Sequence, residues 1–280
     1  MASHLRYDVL VTPGAERAGK VLPNGDPITS SPVSTVLVHG EEEAVLVDPP
    51  FLDSQIEQVR AWIASSGKRV RYVFATHGHG DHWFGTDSLL RDFPNARVYA
   101  TPGTIEVMHQ QATEGRAAMW DVDFPGQVPP SPVVAEPVPA EGFRLEGELL
   151  QSIEVGHTDT DQTSVLHVPS LGLVVAGDCV YNGVHQYFLE GGNGGLEAWL
   201  GALDVIEGLK PRFVVAGHKN AALPDDPATI ASTREYLLDV IRLLEEKPKA
   251  SEFYEELLRL HPDRLNPGPV WYGAVGLLGA

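Results

Sequence analysis

Cysteine is almost missing: the 280-residue chain carries one, Cys179. No intrachain disulfide can form, and a reducing, cytoplasmic setting is the expectation. Basic residues are scarce, 20 Lys and Arg against 38 Asp and Glu, for a formal net charge of −18. Phosphate contacts need clustered Lys and Arg, so the balance argues against nucleic acid as main partner. It argues equally against an anionic membrane surface. No apolar run approaches the ~18 residues of a spanning helix. The start, MASHLRYDVLVTPG, has no apolar core of signal-peptide length. No G-x-S-x-G occurs, so nothing marks a serine nucleophile. What is present is ordinary for a globular chain: 43% hydrophobic and 21% charged residues, with length enough for a sizeable core. The expected partner is a small-molecule substrate.

Short β-type runs dominate the first half. Ser34–Gly40 and Glu43–Pro50 read as a Val-rich hairpin. Leu52–Gly67 has apolar residues at helical spacing, with Asp53 or Ser54 as cap and Gly67 as stop. Val70–His82 reads as a buried strand running into a loop, Ala96–Gly103 as another strand and Thr104–Arg116 as a helix. Six prolines between Pro125 and Pro139 exclude a helix over Gly126–Ala140. That segment is either a connector or a substrate wall, with Met119, Trp120 and Phe124 just ahead of it. Strand signals resume at Glu148–Thr158, Thr163–Ser170 and Leu171–Tyr181. Gly195–Lys210 reads as a helix, Arg212–His218 as a strand and Pro227–Leu260 as mostly helix. The tail from Leu265 is too apolar for water; the core or a second subunit, as in a homodimer, must cover it. Two similar halves of strands and helices predict a sheet-on-sheet core with helices outside.

The chemistry concentrates in THGHGDHWFG, Thr76–Gly85. His77 and His79 alternate along an extended segment and point the same way. Asp81 and His82 follow a turn and can face a neighbouring point. Gly78 and Gly80 remove side chains that would block close approach and permit unusual backbone angles. Three more donors, His157, Asp178 and His218, each end a β-type run and each follow a glycine. Five histidines and two aspartates exceed one tetrahedral zinc site and suit two metals sharing a carboxylate.

H-x-H-x-D-H followed by a distant His, Asp and His resembles the metallo-β-lactamase superfamily, over roughly Val33 to His218. The resemblance implies an α/β fold, an αββα four-layer sandwich. It implies a catalytic unit over 1–225 with a helical extension, 226–280, packed on it. By resemblance His77, His79 and His157 hold one metal, Asp81, His82 and His218 the other, and Asp178 bridges them. Asp48, ending a strand, matches a position that orients a ligand; a plain turn residue before Pro49 is the equal alternative. Two divalent ions would make hydroxide available at neutral pH, with zinc the default and manganese, iron or cobalt also suited to these donors.

Among the branches, the bridging Asp178 disfavours a β-lactamase, and the acidic balance disfavours nucleases. A glyoxalase II-like thioesterase shares all seven donors. Quorum-quenching lactonases share them too and place a tyrosine three residues after the bridging aspartate; here Tyr181 takes that offset. His185, Tyr187 and Phe188 follow on a glycine-rich loop as a substrate wall or proton donor. The expected catalytic side chains are Asp81, Tyr181 and His185, and the expected substrates are small lactones, esters or thioesters. An iron sulfur dioxygenase, using positions matching His77, His157 and Asp178, is the non-hydrolytic alternative. Cys179 reads as a small buried thiol.

Overall fold

The computed structural model describes residues 4–279. The first half runs β1 (Arg6–Thr12), β2 (Glu16–Val21), β3 (Pro27–Thr29), β4 (Val33–His39), β5 (Glu43–Val47), α1 (Asp53–Ser66) and β6 (Arg69–Phe74). It continues through a 3₁₀ turn at Gly80–His82, α2 (Thr86–Leu90), β7 (Arg97–Ala100), α3 (Pro102–Gln110), α4 (Asp121–Asp123) and β8 (Glu136–Pro137). The second half runs β9 (Phe143–Leu145), β10 (Glu148–Gly156), β11 (Thr163–Val168), β12 (Leu173–Asn182), α5 (Gly195–Gly208) and β13 (Phe213–Lys219). Three helices close the chain: α6 (Ala228–Glu245), α7 (Ala250–Leu260) and α8 (Gly268–Leu278).

Two mixed sheets form, in the orders β1-β4-β5-β6-β7-β8 and β13-β12-β11-β10-β9. Their facing sides bury one apolar layer, in which Val36, Val45, Phe74 and Tyr99 meet Leu150, Leu166, Val175 and Val215. The outer face of the first sheet is covered by α1 and α3 through Ile56, Val59, Ile63 and Met108. The outer face of the second carries α5 to α8. Three apolar layers between four layers of structure make the αββα sandwich. Every residue of β12 is buried, as expected of a strand covered on both faces.

Local chemistry sets the boundaries. Gly67 ends α1 in the left-handed conformation, φ 67°. Asp53 is the first helical residue rather than the cap, and the Gln55 side chain accepts from the Leu52 N–H instead. Beyond α3 the helix widens into π turns over Gln111–Trp120, four residues past the expected end at Arg116. The proline-rich stretch is mostly irregular, and Glu136–Pro137 adds a parallel edge strand to β7. The apolar tail packs on the core: Val270 and Ala274 join the cluster of β12 and β13. Gly273 lets α8 approach closely, since a Cβ there would lie 2.2 Å from the Phe188 ring. Among the described residues no helix is long and apolar enough to cross a membrane.

Candidate metal centre

Strands β5, β6 and β7 are parallel, so Asp48, Thr76 and His77 emerge on one sheet edge. In the other sheet β12 and β13 are parallel and bring Asp178 and His218 side by side. Ser164 ties the sheets together here, its N–H and its hydroxyl both donating to Thr76 O, at 2.9 and 2.8 Å. Asp178 and His218 do not end their strands, as the sequence had them do. Their strands run on to Asn182 and Lys219, and the register shifts on both sides of Gly177, whose φ is +51°. Such an irregularity re-aims side chains without ending the pairing. Gly217 serves by its size: a Cβ would stand 2.1 Å from Asp178 Oδ1. Gly78 and Gly80 likewise make room, for Val107 and Phe84, but neither adopts a positive φ. Trp83 braces the loop by donating its Nε1–H to Gly78 O at 2.8 Å.

Three groups of donor atoms lie within 4.8 Å of one another: His77, His82 and Asp178; Asp81, His82 and His218; His77, His79 and Asp159. Asp178 Oδ1 is 3.2 Å from His82 Nε2 and Asp178 Oδ2 is 3.0 Å from His218 Nε2. Asp81 Oδ2 is 3.9 Å from His82 Nε2 and 3.6 Å from His218 Nε2. The rings are aimed from behind. His218 Nδ1 faces Pro32 O at 2.7 Å, His82 Nδ1 faces Asp48 Oδ2 at 3.2 Å, and His79 Nε2 pairs with Glu190 Oε1 at 3.0 Å. Asp48 also accepts from the Thr76 N–H and hydroxyl, which ties its carboxylate to the residue before His77.

A divalent cation fits this arrangement. His77 Nε2, both His82 nitrogens, His157 Nε2, Asp159 Oδ2 and Asp178 Oδ1 are buried with no hydrogen-bond partner, although polar atoms at such depth are normally satisfied. Burial drives the His77 pKa down to about 3, leaving the neutral imidazole a metal needs. Burial also works against a charged His82, but the carboxylates of Asp178 and Asp81 outweigh it and hold its pKa well above the usual value. For Asp178, burial favours the acid, yet His218 and His82 keep the carboxylate ionised well below its normal range.

Six of the seven expected donors therefore converge. The exception is His157. It follows Gly156, φ +87°, and its Nδ1 turns outward to Asp161 Oδ1 at 2.6 Å. Its Nε2 faces Gly195, where a Cβ would stand 2.6 Å away. Among the described residues it belongs to no donor group, and Asp159 stands beside His77 and His79 instead. Asp159 was legible only as a second donor two residues past His157. Glu190 was hidden in the glycine-rich loop.

Tyr181 reaches the centre: its hydroxyl donates to Asp178 Oδ2 at 2.6 Å. Burial, and then Asp178, push its pKa well up, so the hydroxyl keeps its proton. His185 does not reach it. A parallel bridge between Val184 and Leu265 turns the ring toward α6, where Nδ1 pairs with Tyr236 Oη at 3.0 Å. Cys179 is buried in the core, its carbonyl accepting from Trp199. A cleft of about 240 Å³ opens over the centre. Its walls include Met119 and Trp120 of the widened helix, Tyr187 and Glu190 of the glycine-rich loop, Arg17 and Tyr272.

The sequence profile of the metallo-beta-lactamase superfamily matches residues 28–218. A hydroxyacylglutathione hydrolase of Prochlorococcus marinus (strain MIT 9303) is 36% identical over 74 residues, 26% of this chain and 26% of that protein. Protein YobT of Bacillus subtilis (strain 168) is 36% identical over 67 residues, 24% of this chain and 28% of that one. The matched stretch spans about a quarter of the length of these relatives. A metallo-beta-lactamase from Pontibacter korlensis superposes with a TM-score of 0.59 at 19% identity, covering 82% of this chain and 99% of that one. The metallo-beta-lactamase FIM-1 from Pseudomonas aeruginosa, solved in a mono-zinc form, gives 0.57 at 17%, covering 86% and 93%. At such identities the two structures speak for the fold alone. With the sandwich, the H-x-H-x-D-H loop and a profile match over most of its length, the chain belongs to the metallo-beta-lactamase superfamily.

Proposed function

We propose that this chain is a dinuclear metal-dependent hydrolase that opens or cleaves a small lactone, ester or thioester. The observation that carries the reading is Asp178. It groups with His77 and His82 on one side and its Oδ2 meets His218 on the other, and the Tyr181 hydroxyl donates to Oδ2 at the floor of a cleft. Asp81, His82, Asp178 and His218 would hold one divalent ion, and His77 and His79, with His157 by resemblance, would hold a second. Two such ions, zinc by default, would supply an acidified water and a Lewis acid for a carbonyl at neutral pH.

The chain's own groups do the rest. Tyr181 stays protonated and can pass its hydrogen bond from Asp178 to the substrate's carbonyl or leaving oxygen. Met119, Trp120 and Tyr187 wall off water and suit an apolar acyl portion. Among the described residues Arg17 is the one Arg or Lys on the cleft, and its guanidinium is paired with the buried Asp123 at 2.6 Å. A cleft of about 240 Å³ favours a compact reacting group. A second reading, a glutathione thioesterase, is favoured by the names of the relatives that share the 36% stretch.

The test is proton release from zinc- and manganese-loaded protein. A medium-chain acyl-homoserine lactone and a glutathione thioester are offered in parallel, with Asp178→Ala as control. Turnover of the lactone, lost in the control, supports the first reading; turnover of the thioester alone supports the second. Metal binding with silence on both substrates would sink the assigned substrate class.

A further inference from the structure

We propose that Arg17 and Tyr272 form a binding subsite on the cleft wall, one that takes a carboxylate carried by the substrate away from the bond that breaks. The inference rests on the hydrolase reading above and narrows its substrate class to compact esters, lactones or thioesters with an acidic end.

Both residues line the cleft, though they come from β2 and α8, far apart in the chain. A buried ion cluster fixes Arg17. Asp123 is fully buried and lies 2.6 Å from Arg17 Nη1 and 2.7 Å from Lys20 Nζ. Two cations share this one carboxylate, so the cluster is left positive. Arg17 Cζ also lies 5.5 Å from the centre of the Phe124 ring and 5.3 Å from that of Tyr272, within cation–π reach of both. Asn266 joins the two elements behind this pair, donating to Ser31 Oγ at 2.9 Å and to Thr29 O at 3.3 Å. The wall is therefore set before any substrate arrives, which lowers the cost of binding one.

Asp123 does not exhaust the guanidinium. It takes Nη1, while Arg17 Nε is buried with no hydrogen-bond partner. Tyr272 Oη is buried and unpaired as well. Polar atoms so placed are normally satisfied, and two of them on one cleft wall call for an acceptor from outside the chain. Burial holds the Tyr272 pKa up, so its hydroxyl keeps a proton to donate. A carboxylate suits the pair: its charge answers the positive cluster, and its two oxygens suit a planar guanidinium. The cleft's own carboxylates are engaged elsewhere. Asp81 and Asp178 face His218, and Glu190 is held by His79 and the Thr160 hydroxyl.

The test uses zinc-loaded wild type, Arg17→Gln and Tyr272→Phe, with zinc content and circular dichroism checked for each. Calorimetry compares binding of glutarate with that of uncharged glutaramide. Kinetics compares kcat/KM for monophenyl glutarate with that for phenyl pentanoate, an uncharged ester of similar length. Wild type should prefer the anionic member of each pair by about tenfold or more. That preference should shrink by about tenfold in Arg17→Gln and by roughly threefold or more in Tyr272→Phe, through KM rather than kcat. A wild type that treats both members alike overturns the subsite, and so does a preference undiminished in Arg17→Gln. Tyr272→Phe keeps the ring and loses only the hydroxyl, so it decides the matter if Arg17→Gln fails to fold; an unchanged preference there overturns the shared site. Failure of the hydrolase reading looks different: neither ester turns over, while calorimetry still reads glutarate binding and its weakening in the variants.

Discussion

Asp48 and His82 face each other at 3.2 Å, and the carboxylate that meets the ring also accepts the backbone N–H and hydroxyl of Thr76. One side chain on the first sheet thereby meets the His82 ring and holds the residue that precedes His77. Asp48 holds this position at φ +52°, a left-handed conformation that Asp and Asn tolerate better than other non-glycine residues.

Asp48→Asn keeps the shape and the backbone preference and removes the charge. We expect metal affinity to fall by about 10- to 100-fold, the usual cost of losing an orienting partner. Competition with a fluorescent zinc chelator measures it. Unchanged affinity would mean that Asp48 only shapes the turn.

Gly217→Ala places a methyl group where Asp178 Oδ1 now lies, 2.1 Å from the ideal Cβ. The neighbour that must move is a donor held by His82, not the tip of a flexible chain. Overpacking of this kind costs roughly 1–3 kcal/mol. We expect a lower melting temperature together with lost metal occupancy. A variant with full occupancy and wild-type melting would show that Asp178 can shift without consequence.

How far the sequence reached follows from what each residue needed. Strand-end donors after Val-rich runs were legible because periodicity and glycine placement are local, and His77, His79, Asp81, His82, Asp178 and His218 all arrive at one place. The sandwich followed from the alternation of strands and helices. His157 stands outside the donor groups beside a turn, Thr158 to Thr160, that its spacing does not reveal. His185 misled because a long-range bridge to Leu265 turns it to the far side of its loop. The π turns over Gln111–Trp120 bring Met119 and Trp120 onto the cleft, and no periodic signal announces that widening.

Tyr181→Phe removes the hydroxyl that donates to Asp178 at 2.6 Å and leaves the packing against Trp199 intact. If the hydroxyl serves the reacting carbonyl, kcat should fall by about 100-fold with little change in KM and with metal content retained. A purely structural hydroxyl would lower the melting temperature and leave kcat unchanged, so the two readouts separate the roles.

Metal should stabilise the fold, since donor atoms of His77, His82 and Asp178 are buried and unpaired without it. An ion present at about 100 times its Kd adds about 2.7 kcal/mol to unfolding, a few degrees in melting temperature for a chain this size. Differential scanning fluorimetry with and without a chelator reads the shift. Identical melting curves would argue that these groups hold no ion.

His185 gives a pH dependence separate from the metal centre. Burial, then the nearby Arg264 charge, hold its pKa at about 3 against an ordinary 6.5. Between those values the unfolded chain binds a proton that the folded chain does not. Stability is therefore whole above about pH 6.5 and falls as pH drops, by up to about 1.4 kcal/mol per unit for this one group. Ionisable Glu235, Asp239 and His261 also lie on or against α6, so the comparison must be made between variants rather than from one curve. His185→Gln can keep a hydrogen bond to Tyr236 Oη without ionising. Urea unfolding at pH 6.5 and pH 5 should show wild type losing more stability than the variant. Equal losses would mean that His185 takes up its proton within the folded protein.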